Sequence, residues 1–218
     1  FHDGDLLEVD TVAILSVGGL EIDGRGREMS RICSEETQVK GHIDGQFFWE
    51  LNRQLYLFEH KTMRGFPFQK LIGKKRGDPN PQNVQSMEDG VYILEPGTVE
   101  SAYPNYAHQV QCYMQGDDYT GCAFFVRCKD EASIAIEMIE KNVDVADDML
   151  DSLWALADNV DNGMIAPRDY DPHKDWKCDA KYCRYREACL KIGKGQEMGD
   201  GTFAAIPADM ARKDYNGD

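Results

Sequence analysis

Apolar positions along the chain repeat with two different periods. Between residues 5 and 17, Leu6, Val9, Val12/Ala13 and Ile14/Leu15 recur at helical spacing, and Gly18-Gly19 closes the run. From Leu20 the texture changes. Residues 28–33, 38–49 and 55–61 read as strands, punctuated by Gly24, Gly26, Gly41, Gly45 and Asn52. Residues 62–105 are broken by Gly65, Pro67, Gly73, Gly77, Pro79 and Pro81 and read as irregular, apart from a short strand near 91–94; such stretches are commonly functional or mobile. Pro104 suits the first turn of a helix reaching to about Met114. Residues 122–128 and 133–139 read as a hairpin turning at Lys129-Asp130, with Ile134, Ile136 and Met138 alternating as in a half-buried strand. Residues 144–162 return to helical spacing through Val145, Met149, Leu153, Leu156 and Val160, with acids at the end the helix dipole favours. No internal repeat is visible. The order predicts an α/β fold, a mixed central β-sheet flanked by helices, with a core over 1–166, a cysteine-rich basic module over 167–194 and a Gly-rich tail over 195–218.

Composition narrows the class. A chain of 218 residues with 42% hydrophobic content is globular and long enough to bury a core. No apolar run approaches the roughly 18–20 residues of a membrane helix; the longest, Val12–Leu20, is interrupted by Ser16, Gly18 and Gly19. No signal peptide is recognisable, and no membrane partner is expected. The seven cysteines (33, 112, 122, 128, 178, 183 and 189) are an odd number and sparse for a disulfide scaffold. Three of them crowd into Cys178–Cys189, which favours a reducing, cytoplasmic compartment with metal or cluster ligation. Cys112, Cys122 and Cys128 lie on apolar segments and read as core.

The sharpest chemistry lies in the strand region. Asp44 sits in GHIDG, and LYLFEHKT carries Glu59 and Lys61. On a strand i and i+2 share a face, so Glu59 and Lys61 emerge together while His60 points away. If residues 38–49 pair with 55–61 through the 50–54 turn, Asp44 lies close to Glu59. Two converging carboxylates repel unless a cation stands between them, and hard oxygen ligands suit Mg²⁺ or Mn²⁺. A neighbouring lysine can orient a water and offset phosphate charge. Glu-x-Lys alone is commonplace, and its bland reading is a solvated pair. Here it follows the apolar run Leu55–Phe58, which suits a solvent-facing strand end poorly.

The ordered set GHIDG, LYLFEHKT and HQVQCY resembles the PD-(D/E)XK nuclease superfamily, in its RecB-like and phage exonuclease branch, over about residues 1–190. The resemblance places Asp44 at the first acid, Glu59 and Lys61 at the E-x-K, and Gln109 and Tyr113 at the Q-x-x-x-Y of a later helix, where i and i+4 share a face. FHDGDLLE resembles the family's N-terminal G-H-x-x-E, with Glu8 at the glutamate and Asp5 where histidine is usual. What it implies is a restriction-endonuclease-like core and a Mg²⁺- or Mn²⁺-dependent DNA exonuclease. Such an enzyme processes linear ends, single- or double-stranded, in recombination or repair, within a bacterial or phage-infected cell. One or two ions would be held by Asp44, Glu59, Glu8 and the carbonyl of His60. Lys61 would position the water, and Gln109 and Tyr113 would orient the strand. Ring-forming relatives raise the question of an oligomer.

Cys178, Cys183 and Cys189 lie in WKCDAKYCRYREAC, similar to the cysteine-rich end of this branch, some of whose members ligate an iron–sulfur cluster. The last interval fits, but Ala180 stands where a C-x-x-C partner would be. A [4Fe–4S] cluster needs a fourth thiolate, with Cys33 the candidate. Zinc with His173, or three structural thiols, are the alternatives. Arg64, Lys70, Lys74, Lys75 and Arg76, interleaved with Phe66 and Phe68, suit a loop contacting a nucleic-acid strand. Two other functions remain open: a nuclease resembling the CRISPR adaptation enzymes with an intact cluster, and a catalytically silent DNA-binding module.

Net charge bears on this last. At −15 the chain first argues against DNA. Resolved along the sequence, residues 64–76 hold five bases and no acid, and residues 174–194 hold seven bases against three acids. Residues 130–171 hold two bases against twelve acids. An acidic back with two basic patches is compatible with DNA gripped locally.

Overall fold

The computed structural model describes residues 2–27, 41–76, 80–165, Lys181 and the pairs 196–197, 203–204 and 206–207. It is α/β, built on a six-stranded mixed sheet flanked by helices. Helix α1 (His2–Val17) precedes strands β1 (Gly45–Trp49) and β2 (Gln54–Met63). Helix α2 (Gly65–Leu71), strands β3 (Val84–Glu88) and β4 (Val91–Leu94), and helices α3 (Thr98–Ala102) and α4 (Pro104–Gln115) follow. Strands β5 (Gly121–Cys128) and β6 (Ile134–Glu140) and helix α5 (Val143–Asp161) complete this part. The chain divides into two compact units, residues 1–150 and 151–218. In the second, β7 (Met164–Ile165) pairs with β10 (Ile206–Pro207), and β8 (Gln196–Glu197) with β9 (Phe203–Ala204).

The sheet order is β1-β2-β5-β6-β4-β3. β2 and β5 run parallel, which demands a crossover, and α4 lies within that connection. β5 is central and buried along nearly its whole length, the pattern of a strand covered on both faces. On one face Phe47, Phe58, Ala123 and Phe125 form a buried cluster with Val12, Leu15, Leu20 and Ile22 packed against it, which seats α1 there. On the other face α4 packs on β2 and β5, with the Tyr106 and Phe124 rings 6.1 Å apart between centroids. Cys112, Cys122 and Cys128 are buried in this core.

Two expectations need correction. The strand expected over 38–49 enters the ladder only at Gly45, because the chain bends at Asp44; residues 28–40 lie outside the described residues. The stretch 62–105, expected to be irregular apart from a strand near 91–94, has that strand as β4 but also carries β2 to Met63 and then α2, β3 and α3. Pro67 falls in the first turn of α2, where a missing N–H costs nothing. The basic segment is therefore partly helical rather than a loop. Helix α3 has no side-chain cap from its own N-cap residue. Its first amides are met from β6, where Glu137 accepts from Gly97 N and Val99 N at 2.7 Å each.

Candidate active site

The β1–β2 hairpin aligns the acids. Gly45 lies opposite Phe58 in the antiparallel register, so one step further along both strands brings Asp44 level with Glu59. Asp44 Oδ2 accepts the backbone N–H of His60 at 2.9 Å, which ties the bend to β2. Alternation along β2 then sorts its side chains. Glu59 and Lys61 lie on the α4 face and form an ion pair, and Lys61 Nζ also stands 5.6 Å from the Tyr106 ring centroid. His60 turns to the α1 face, stacks on Phe58 and meets Thr11 Oγ1 through Nε2 at 3.1 Å. The Thr11 hydroxyl donates to the Leu7 carbonyl at 2.8 Å, so His60 Nε2 is the donor of their bond. Arg127 on β5 adds an ion pair to Asp10 at 2.7 Å, and this polar seam holds α1, which carries Glu8, on the sheet.

Glu59 is the unusual group. It is 1% exposed; Oε1 meets Lys61, while Oε2 is buried with no hydrogen-bond partner among the described residues. Burial and the Asp44 charge push its carboxyl up to about 7, against the opposing pull of Lys61, and Glu8 adds to the rise. Lys61 shows the complementary balance: burial alone would lower its ammonium, but the Glu59 charge and hydrogen bond raise it above the usual lysine value. Burial pushes His60 down to about 4, helped by Arg127, so its ring is neutral at pH 7. On α4, Gln109 Nε2 donates to Tyr113 Oη at 2.8 Å. Burial raises the Tyr113 phenol, and it feels the charges of Glu59, Lys61 and Asp44, so this pair shares the pocket's field.

The fold thus brings Asp44, Glu59, Lys61, Gln109 and Tyr113 into one electrostatic neighbourhood, with Glu8 at its margin. The His60 ring lies on the opposite face, leaving only its backbone on the acid side. Among the described residues no group of three or more His, Cys, Asp or Glu side chains is gathered closely enough to hold a metal ion as it stands. The donor chemistry still fits a hard divalent cation. An unpartnered buried carboxylate oxygen beside a second carboxylate is costly unless a cation answers it. All five of the basic set, Arg64, Lys70, Lys74, Lys75 and Arg76, are exposed, and Lys70 also donates to the Ala102 carbonyl at 3.3 Å and lies over the Tyr103 ring. Cys178, Cys183 and Cys189, with Cys33 and His173, lie outside the described residues. Sequence reasoning passed over Arg25, Thr11, Tyr106 and Arg127; of these only Arg25, between two glycines, carried a local signal.

Gly45 shows how tightly the site is built. A methyl there would run into Ile22 Cγ2 and come within 3.2 Å of the Asp23 carbonyl oxygen. Gly45→Ala is expected to cost about 1–3 kcal/mol of stability in urea titrations, as overpacking does, and to displace Asp44. Unchanged stability would mean that the 20–27 segment does not pack on this turn. No protein-family model, curated protein or solved structure matches the chain.

Proposed function

We propose that the protein is a metal-dependent deoxyribonuclease that hydrolyses DNA phosphodiester bonds. The observation that carries this reading is Glu59, buried beside Asp44 with one oxygen unpartnered and Lys61 paired to the other. Asp44, Glu59 and Glu8 would hold Mg²⁺ or Mn²⁺, which supplies Lewis-acid stabilisation of phosphate charge and an acidified water. Lys61, kept cationic by Glu59, holds the attacking water by hydrogen bonding and offsets negative charge on the phosphate. Gln109 and Tyr113 present an amide and a phenol from one helical face to the scissile strand. Exposed Arg64, Lys74, Lys75 and Arg76 would follow the phosphate backbone. Action on DNA ends, and a setting in recombination or repair, rest on the resemblance to the RecB-like and phage exonuclease branch.

The test is digestion of linear, circular and single-stranded DNA with Mg²⁺ or Mn²⁺, for the wild type and Lys61→Ala. Metal-dependent cleavage of linear DNA, lost in Lys61→Ala, is expected. Equal activity in the variant would remove Lys61 from the mechanism, cleavage of circles would remove the exonuclease, and no cleavage at all would favour a silent binding module.

A further inference from the structure

Beside the acids stands an ion pair of which the proposed chemistry uses only the acid, Glu8, and leaves Arg25 without a role. Arg25 Nη2 donates to Glu8 Oε1 at 2.6 Å, and the two side chains keep 38% and 22% exposure, within reach of solvent and ligands. The backbone at Arg25 is held on both sides. Asp23 and Gln46 exchange both main-chain hydrogen bonds at 2.9 Å, Gly26 N donates to the Ile43 carbonyl at 2.9 Å, and Ile43 N donates to the Arg27 carbonyl at 3.1 Å. These anchors bracket Asp44, so the 23–27 segment is bound to the turn that presents the first acid. Gly24 and Gly26 have φ of +61° and +70°, left-handed conformations that glycine takes without strain and that set the loop on either side of Arg25. Arg25 Cγ lies 3.5 Å from where a Cβ on Gly45 would stand. The guanidinium is thus fixed at the rim of a set of acids whose Glu59 Oε2 is buried without a partner.

A guanidinium and a divalent cation compete for the same carboxylate. We propose that Arg25 is the internal counter-ion of Glu8, displaced when a divalent cation binds, and that the released guanidinium then grips a phosphate oxygen of the DNA strand. This rests on the nuclease reading above. It deepens that reading by making Arg25 the coupling element between metal and substrate. Without metal, the pair keeps Glu8 neutralised and Arg25 occupied. With metal, Arg25 gains a partner only on DNA, where its planar fork matches phosphate. Metal and DNA then strengthen each other's binding through one side chain, as linkage requires.

The experiment measures Mn²⁺ binding to the full chain without DNA, by the electron paramagnetic resonance of the free ion. Arg25→Ala is expected to bind Mn²⁺ about two- to fivefold more tightly, the size of removing one exposed competing ion pair. In the Glu8→Gln background the same substitution should change nothing. DNA affinity is then measured in the Lys61→Ala background, which leaves the strand uncut. There Arg25→Ala should weaken binding with Mg²⁺ and leave it unchanged in EDTA, and Arg25→Lys should restore part of the loss. Mn²⁺ affinity unchanged or weakened by Arg25→Ala overturns the counter-ion role, as does a DNA defect of equal size with and without metal. Both outcomes leave the nuclease reading standing. A wild-type chain that binds no Mn²⁺ overturns both.

Discussion

Glu59→Gln is expected to lower the rate of Mg²⁺-dependent DNA cleavage by about 10²- to 10³-fold or more, the size of losing one preorganised electrostatic contact at a reacting centre. The metal-free protein should not be weakened by it. Glu59 carries a buried oxygen with no partner, and Asp44 repels its charge, so the carboxylate is a burden on the fold. An amide of the same shape removes the repelled charge, and although it gives up the ion pair, Lys61 keeps the Asp44 charge nearby; such a trade is the usual relation between activity and stability at a functional site. Asp44→Asn should lose activity similarly, since its oxygen can still accept the His60 N–H while the charge is gone. Lys61→Ala should differ in sign. Deleting the lysine leaves Glu59 without its cation, a cost of about 1–3 kcal/mol, limited because the carboxyl can take up a proton instead. Single-turnover cleavage of end-labelled linear DNA and thermal melts in EDTA measure both halves. Wild-type cleavage by Glu59→Gln would remove this carboxylate from the chemistry. A melt of Glu59→Gln well below the wild type at pH 8 would mean that the charge supports the fold.

The parts of this arrangement legible in the sequence are those written in local periodicity. The i, i+2 alternation after an apolar run put Glu59 and Lys61 on one face and His60 on the other; β6 follows from a period of two, α1 and α5 from helical spacing, and α4 from Pro104 at its first turn. What the pattern missed depends on contacts distant in the chain. Helix α3 is five residues long, and its amides are met by Glu137 about forty positions later. Strand β3 is exposed at nearly every position, so it lacks the alternation that reveals a strand. Helix α2 begins with Gly65 and contains Pro67, residues that read as breakers until their place in the first turn is known. Asp44 was legible as an acid in a turn. That the turn is clamped by residues 23–27, and that Arg25 thereby faces Glu8, follows from long-range pairing that no local window contains. The basic stretch was legible as charge but not as shape, and Lys70 is the member the fold turns to its own use.

The titration of the metal-free protein should expose two opposing groups. The Glu59 carboxyl rises from the usual 4.5 to about 7 on folding. Between those values the folded chain holds a proton that the unfolded chain has lost, so stability falls as pH increases through this window. The His60 imidazole falls from the usual 6.5 to about 4. Between about pH 4 and 6.5 the unfolded chain binds a proton that the folded chain refuses, so this contribution rises with pH. The two nearly cancel from about pH 4.5 to 6.5, each spanning about 3 kcal/mol at 1.36 kcal/mol per pKa unit. Glu59→Gln removes one side of the balance. Stability of the variant relative to the wild type, from urea titrations in EDTA, should climb by about 3 kcal/mol between pH 4.5 and 7 and then level off. Groups unchanged by the substitution, such as the buried Glu137, which burial also raises, contribute to both proteins and leave the difference alone. A difference that stays flat from pH 4 to 8 would show that Glu59 ionises at its ordinary value. The unpartnered oxygen would then be answered by solvent, and the strongest reason to place a divalent cation beside Asp44 would be gone.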